Sequence, residues 1–343
     1  MKNTRRTLFA IAALLLCPLA FADGRVLLHF AYHSSGEEYL PDPNLATHIV
    51  FTSARITPEF TVKIYDFNKP QIPKVVGLKK ANPDLKVTLL VGGAKSENFD
   101  EALATPESRK TLLDSFDAVM KEYNLDGIDL DWESPSAILR FPNPVRSPQA
   151  VANFTLLLKE FRRRFPDKIL TVDISGDFYA CAIDIAAGAQ YVDFFTAMTY
   201  DFSSVSHNAP LYASNLTGKR CVSDSVNKYL EIIPPEKLVM GIPFYGRKVF
   251  KSKNKEPQQI AHNAIPAFAK EKKLAACRDE VARVPFLMDG KSKVFVFYDD
   301  ETSIREKARF AKSKNLRGVA VWQIFDDDKN RTLSRALQNE MSK

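Results

Sequence analysis

The stretch LDGIDLDWE, residues 125–133, carries two interleaved patterns. Side chains alternate between the faces of a β-strand, so Asp129, Asp131 and Glu133 point one way, about 6.6 Å apart. The opposite face carries Ile128, Leu130 and Trp132. Asp126 has the opposite parity to the three acids and is expected near the start of the strand. The stretch therefore predicts a buried strand that presents a ladder of carboxyl groups to one side.

Three acids on one face of a buried strand require an explanation, because an unpaired buried charge costs several kcal/mol. A solvated edge strand with its charges turned outward is the alternative, but it conflicts with the apolar residues on the other face and on both flanks. Carboxylates that repel each other keep one proton near neutral pH, which suits acid catalysis. Glu133, at the C-terminal end of the strand, is predicted to be the proton donor.

Apolar, β-branched segments recur along the whole chain, at 25–31, 48–52, 86–91, 126–132, 169–174, 192–199, 237–242 and 317–322. Near-continuous apolar runs are typical of strands that are buried on both faces of a parallel sheet. Helical patterns lie between them, as in residues 107–123 and 150–164. Strands alternating with helices predict an α/β fold, specifically a (β/α)8 TIM barrel, with a doubly wound open sheet as the alternative.

One interval is too long for a single crossover helix. About 75 residues separate Gly241, at the end of the seventh strand candidate, from Arg317, at the start of the eighth. Within it, a helical pattern at 261–273 precedes a strand-like segment at 293–298. We therefore predict a small α+β insertion at approximately 246–300, between strands 7 and 8 of a catalytic barrel that spans 23–343.

The first 22 residues have the pattern of an export signal. A positively charged start precedes an apolar run, and Ala20-Phe21-Ala22 provides the small-x-small pattern of a cleavage site. The apolar run is short for a bilayer, which needs about 20 residues. A retained N-terminal anchor is the alternative, and the neighbours of Cys17 disfavour a lipoprotein. We expect a secreted or periplasmic protein without a stable membrane span.

Composition and charge exclude several classes of protein. The 343 residues are 45% hydrophobic and 26% charged, within the range of soluble globular proteins. Removing the signal lowers the net charge from +7 to +4, and without a nucleic-acid-binding motif, nucleic-acid binding is a weak alternative. The remaining cysteines, Cys181, Cys221 and Cys277, form no C-x-x-C pair, which argues against a cysteine metal site and a thioredoxin-type redox site. No metal or other cofactor is expected. An oxidising compartment would permit one disulfide, whose pairing the sequence does not reveal.

The ladder resembles a known family signature. Residues 126–133 match the D-x-x-D-x-D-x-E pattern of glycoside hydrolase family 18, the chitinases and their relatives. Other segments that resemble the family follow in order along the chain: Gly92-Gly93, MTYDF at 198–202, HNAPLY at 207–212, GIPFYGR at 241–247 and GVAVW at 318–322. Together they cover the chain from Arg25 to about Asp327, and each falls at the end of a predicted strand.

The resemblance implies substrate-assisted hydrolysis, in which the substrate's own N-acetyl group is the nucleophile. Glu133 would protonate the glycosidic oxygen, and Asp131, above Asp129, would orient the acetamido group. Tyr200 would hold that group through its hydroxyl. Trp322 would form the apolar floor under the −1 sugar. The remaining implied substrate contacts are Asp201, Met198, Tyr245, Arg247 and Phe51, and the structural positions are Asp126, Gly92 and Gly93.

The sequence departs from the family pattern at three places. Leu90 stands where the family commonly has a serine that contacts the middle Asp of the ladder. Ser134 follows Glu133 in place of a tyrosine, and no tryptophan follows the 200–202 segment. The departures predict altered sugar subsites around an intact acid.

The expected activity is cleavage of chitin or of β-1,4-linked N-acetylglucosamine oligosaccharides by a monomer. The alternatives are an endo-β-N-acetylglucosaminidase acting on N-glycans or peptidoglycan, and a non-catalytic chitin-binding lectin. Only two tryptophans occur, Trp132 and Trp322. A long stacking track needs more, so we expect a short cleft that prefers soluble oligomers to crystalline chitin.

Overall fold

The computed structural model describes residues 26–32, 40–94, 97–133, 147–251 and 256–343. The predicted export signal and Ser134 lie outside these ranges. The strands are β1 (Val26–Tyr32), β2 (His48–Ile56), β3 (Val62–Ile64), β4 (Lys86–Gly93), β5 (Gly127–Trp132), β6 (Ile169–Ser175), β7 (Phe194–Met198), β8 (Leu238–Pro243), β9 (Tyr245–Phe250), β10 (Gln258–Ala261), β11 (Ala275–Asp279), β12 (Val284–Met288), β13 (Val294–Phe297) and β14 (Gly318–Trp322).

Eight parallel strands close into a barrel. The ring runs β1, β14, β8, β7, β6, β5, β4, β2, and β1 pairs with both β14 and β2. The short strand β3 adds antiparallel to β2. This closure confirms the predicted barrel and rules out the open sheet. The apolar runs are explained by burial on both faces, because one face meets the helices and the other fills the barrel.

The helices are α1 (Ile72–Gly77), α2 (Phe99–Ala104), α3 (Pro106–Tyr123), α4 (Pro148–Arg164), α5 (Ile185–Gly188), α6 (Val222–Leu230), α7 (Ile265–Lys272), α8 (Glu301–Ser313) and α9 (Thr332–Met341). The two helices predicted at 107–123 and 150–164 are α3 and α4, each beginning at a proline in its first turn. Thr105 caps α3 by accepting the Ser108 N–H, and the Ser108 hydroxyl accepts the Thr105 N–H in return. Such a reciprocal cap fixes where the helix starts.

The insertion forms a second, antiparallel sheet after barrel strand β8. Its five strands run in the order β10, β9, β13, β12, β11, with α7 packed against them. The predicted helical and strand-like segments of this region correspond to α7 and β13. His207 joins the barrel rim to this sheet, since its ring lies 5.0 Å from Phe297 and its Nε2 lies 3.3 Å from Asp279 Oδ2.

Two further properties bear on the predictions. Within the described ranges, no helix is both long and apolar enough to cross a membrane. Cys181, Cys221 and Cys277 form no disulfide with one another.

Candidate active site

The inside of the barrel is divided into an apolar part and an acidic part. The apolar part consists of inward-facing residues that Trp322 covers at the top: Leu28, Phe30, Val50, Leu90, Phe194, Val239 and Ala320. The acidic part lies on β5 and β6. Its buried members are Asp129, Asp131 and Asp173, at 0%, 4% and 8% exposure. The ladder predicted from the sequence therefore faces the barrel interior.

The outward face of β5 anchors the ladder. Trp132 stacks on Phe154 of α4 with ring centroids 4.9 Å apart and on Phe99 of α2 at 6.0 Å. Its indole N–H donates to Asp100 Oδ1 at 3.0 Å. Because neighbouring side chains on a strand point to opposite faces, this packing directs Asp131 inward and leaves Glu133 half-buried at the mouth of the barrel.

Asp129 is held from the β6 side. The Thr171 hydroxyl donates a hydrogen bond to Asp129 Oδ1. On the opposite side, the residue in register is Leu90, which has no donor to offer. Burial raises the pKa of Asp129 to about 6, although hydrogen bonds from Thr171 and Asp173 oppose this shift. Although Leu90 offers Asp129 no hydrogen bond from β4, donors on β6 supply hydrogen bonds from the other side.

Asp173 is a site residue that the sequence reasoning missed. It lies on β6, lines the cleft and has its carboxyl group within hydrogen-bonding reach of Asp129. Burial raises its pKa well above the ordinary carboxyl value, and the negative charges of Asp129, Asp131 and Glu133 raise it further. The signal was present in the sequence: in ILTVDIS, residues 169–175, polar side chains at every second position mark an inward polar face.

Gly92 and Gly93 bring the β4 backbone against Asp131. Their φ angles are +122° and +101°, in the region that favours glycine. A Cβ on Gly92 would lie 1.9 Å from the Asp131 carbonyl oxygen, which the packing does not permit. Only glycine therefore fits at Gly92, where β4 is paired closely against Asp131 of β5.

Tyr200 follows β7 and points into the same cleft. Burial raises its pKa well above the ordinary phenol value, and the nearby Asp173 adds to the shift. The hydroxyl therefore stays protonated and can donate a hydrogen bond at any working pH. Met198, at the end of β7, lines the cleft beside it.

Asp201 is positioned by two residues of β9. Tyr245 donates its hydroxyl to Asp201 Oδ1 at 2.6 Å, and the Arg247 guanidinium pairs with the same oxygen. Arg247 also lines the cleft. Tyr245 is only 2% exposed and its hydroxyl holds Asp201 toward the cleft, so its contact with sugar stays a prediction.

The cleft has a volume of about 620 Å³ and opens beside the ends of β5, β6 and β7. Asp131, Glu133, Asp173 and Tyr200 line it. Asp177, Arg220 and Ser203 also line it, with Arg220 Nε 3.0 Å from Asp177 Oδ2. This volume lies in the usual range for a site that encloses a small ligand.

Trp322 lies across the barrel from the ladder, because β14 is diametrically opposite β5 in the ring. Its ring lies 5.6 Å from Phe30 and covers the apolar part of the interior. Phe51 does not belong to this surface. It is fully buried in the core between strands and helices, and its contact with sugar stays a prediction without support from this position.

Asp126 lies at the opposite end of the strand from the cleft. Its Oδ2 accepts the Val87 N–H at 2.6 Å and pairs with Lys79 at 2.5 Å. These contacts tie the start of β5 to β4, in keeping with its predicted structural position. No cluster of three or more potential metal ligands occurs among the described residues.

Comparisons with known proteins agree with this geometry. The family model of the glycosyl hydrolases family 18 matches residues 26–327. Probable chitinase 2 of Drosophila melanogaster is 31% identical over 332 residues, covering 84% of this chain and 67% of that protein.

Two solved structures are similar over most of the chain. The Group IV chitinase of Ostrinia furnacalis superposes with a TM-score of 0.82 at 28% identity, covering 93% of this chain and 100% of that chain. It has also been solved in complex with allosamidin. A family 18 N-acetylglucosaminidase from Paenibacillus barengoltzii has a TM-score of 0.80 at 27% identity, covering 92% of this chain and 99% of that chain.

Proposed function

Because the chain belongs to the glycosyl hydrolases of family 18, we propose that it is a chitinase which hydrolyses β-1,4-linked N-acetylglucosamine chains with retention at the anomeric carbon. Glu133 protonates the glycosidic oxygen as the bond to the leaving sugar breaks. The carbonyl oxygen of the substrate's N-acetyl group attacks the anomeric carbon and forms an oxazolinium ion. Glu133 then removes a proton from water, which opens this ion and restores the acetamido group.

One observation carries the proposal: the carboxyl ladder ends at the cleft, with Glu133 at its mouth and Asp131 buried beneath it. A buried carboxylate at that depth can stabilise positive charge on the attacking acetamido group. The protonated Tyr200 hydroxyl lines the same cleft and can hold the group in place. Trp322 supplies an apolar platform for a sugar ring across the barrel mouth.

The direct test replaces the proton donor. In the variant Glu133→Gln, shape is kept but the transferable proton is lost, so we expect kcat on N-acetylglucosamine oligomers to fall by roughly 10²- to 10⁴-fold. Glu107→Gln, an exposed substitution in the first turn of α3, is the matched control. Activity of Glu133→Gln within tenfold of the unaltered protein would exclude Glu133 as the acid.

A second test measures inhibition by allosamidin. Allosamidin is bound in the structure of the Ostrinia furnacalis relative. We expect it to compete with N-acetylglucosamine oligomers for this chain also, and to bind Glu133→Gln. Binding to chitin beads without any turnover by the unaltered protein would instead indicate a lectin.

The similarity to an N-acetylglucosaminidase supports a second candidate function, release of single sugars from chain ends. Product analysis separates the candidates: internal cleavage of a hexamer gives mixed oligomers at early times, whereas end cleavage gives the monomer. N-glycans and peptidoglycan belong in the same assay. Because Trp132 faces the helices, only Trp322 is left to stack sugars, and we expect faster turnover of soluble oligomers than of crystalline chitin.

We also propose that the protein acts outside the cytoplasm. Residues 1–22 would direct the chain out of the cytoplasm, and cleavage near Asp23 would release the mature enzyme. N-terminal sequencing of the protein recovered outside the cytoplasm tests this, and a start at residue 1 would contradict it.

A further inference from the structure

Asp173 has no part in the proposed reaction, although it lies beside the ladder. We propose that Asp173 is a positioning residue: its protonated carboxyl donates a hydrogen bond to Asp129 and supplies, from β6, the donor that β4 lacks at Leu90. This inference rests on the proposed function, because holding Asp129 matters for activity only if the ladder is catalytic.

The two strands beside Asp129 differ in what they offer. Leu90 on β4 is in register with Asp129 and belongs to the apolar interior cluster. Thr171 on β6 is in register on the other side and donates to Oδ1 of Asp129. Asp173 lies two residues further along β6, so its side chain shares the inward face with Thr171. The donors for Asp129 therefore come from β6.

The contact between the two carboxyl groups requires a proton. The carboxyl groups of Asp129 and Asp173 lie within hydrogen-bonding reach of each other. Two ionised carboxylates cannot form a hydrogen bond, because each is only an acceptor. Among the described residues, Asp129 Oδ2 and Asp173 Oδ1 are buried and have no other hydrogen-bond donor. One proton shared by the pair satisfies both groups.

The surroundings place that proton on Asp173. The titratable groups facing it are Asp129 and Asp131 on β5, Glu133 at the end of β5, and Tyr200 after β7. All of the charges that raise its pKa are negative, whereas the pKa of Asp129 is drawn down by two donors. Asp173 is therefore the donor and Asp129 the acceptor. The pair carries one negative charge instead of two beneath the catalytic acids.

Two substitutions of Asp173 distinguish a protonated carboxyl group, which donates a hydrogen bond, from an ionised one. Asp173→Asn keeps a donor to Asp129 but cannot ionise, whereas Asp173→Ala removes the donor. With a soluble N-acetylglucosamine oligomer at pH 6, we expect Asp173→Asn to keep kcat/KM within about threefold. Asp173→Ala should lose roughly ten- to a hundredfold, the range for a lost hydrogen bond to a charged group. Equal losses in both variants, or no loss in Asp173→Ala, would overturn the proposal.

A stability measurement tests the proton without using activity. The folded protein holds a proton on Asp173 that the unfolded chain releases above about pH 4, so stability from this group falls as pH rises. Asp173→Asn has no such dependence. The Tm of Asp173→Asn relative to the unaltered protein should therefore increase steadily from pH 4 to pH 8. A constant difference would mean that Asp173 is ionised, and the inference would be wrong.

These readouts also separate this inference from the proposed function. If the unaltered protein cleaves no N-acetylglucosamine oligomer, the proposed function fails, while the Tm series still decides where the proton lies. If Asp173→Ala is not recovered folded, Asp173→Asn alone decides: a tenfold loss of kcat/KM overturns the positioning role. A purely structural Asp173 would lower the Tm of Asp173→Ala without changing the kcat/KM of the folded variant.

Discussion

The barrel interior contains two regions that obey different rules. On the side of β1, β2 and β14, Leu28, Val50 and Ala320 fill the interior with apolar atoms. On β5 and β6, the buried inward-facing residues are instead Asp129, Asp131 and Asp173. The apolar side gains free energy from burial, whereas the acidic side must hold charge out of water. The acidic side therefore depends on hydrogen-bond donors, such as the Thr171 hydroxyl, which the apolar side does not need.

Moving an acid to the apolar side should produce the largest effect. In Leu28→Asp, a new carboxyl group would have no carboxyl partner and no donor among its apolar neighbours. We expect the free energy of unfolding at pH 8 to fall by about 3–5 kcal/mol, the range for an uncompensated buried charge. Leu28→Asn controls for lost volume and added polarity without a charge.

The pH dependence distinguishes charge from packing in this pair of variants. A buried carboxyl group holds its proton in the folded state and loses it on unfolding, so Leu28→Asp should lose stability relative to Leu28→Asn as pH rises above about 4. Denaturant titrations at pH 4, 6 and 8 measure this. Parallel behaviour of the two variants would show that the apolar side tolerates charge as well as the acidic side does.

Removing Asp131 from the acidic side should have the next largest effect. This effect should be on catalytic activity and not on stability. We expect Asp131→Asn to lower kcat by roughly 10²- to 10³-fold, the range for removing one group that stabilises transition-state charge. Its unfolding free energy should stay equal or rise, since a buried charge is removed. The control on the same strand is Asp126→Asn, which breaks the contact with Lys79 at the far end. We expect it to lower stability and leave kcat unchanged.

The division between the two regions explains what the sequence could predict. The barrel, α3, α4 and the inward direction of Asp129 and Asp131 follow from local periodicity, which a strand or helix imposes directly. The insertion was visible as an interval too long for one crossover. These features depend on neighbours along the chain, and they agree with the structure.

Contacts between side chains on different strands were harder to predict from the sequence. Asp173 supports Asp129 from a different strand, and its importance follows from burial beside other acids, which one segment of sequence does not reveal. Phe51 and Tyr245 were predicted to contact sugar; in the structure Phe51 packs outward into the core and Tyr245 donates to Asp201. Whether either residue contacts sugar depends on which side of its strand meets the cleft, and neither parity nor motif resolves this at the barrel rim.

A smaller effect should follow from removing a donor within the acidic side. The Thr171 hydroxyl stabilises ionised Asp129 and lowers its pKa, which burial has raised to about 6. Thr171→Val keeps the shape but removes the donor, so the pKa of Asp129 should rise further. We expect a loss of about 1–3 kcal/mol at pH 8 and less at pH 4, where Asp129 is protonated. Equal losses at both pH values would show that Asp129 is not ionised in the folded protein.

The smallest effect should come from a lone acid near the apolar side. Asp326 follows β14, opposite β5, and burial raises its pKa to about 7, with only the Gln323 side chain opposing the shift. Its folded pKa exceeds the unfolded value, so the stability that it contributes below about pH 4 is lost as pH rises toward 7. Asp326→Asn should therefore gain stability relative to the unaltered protein between pH 4 and pH 8, while the cost of burying an amide without acceptors is the same at both pH values. Thermal unfolding at the two pH values measures the difference. If the stability of the variant relative to the unaltered protein were instead lower at pH 8 than at pH 4, Asp326 would be ionised and paired in the folded protein. A single buried acid would then be stable without a shared proton, and the shared proton would not distinguish the acidic side.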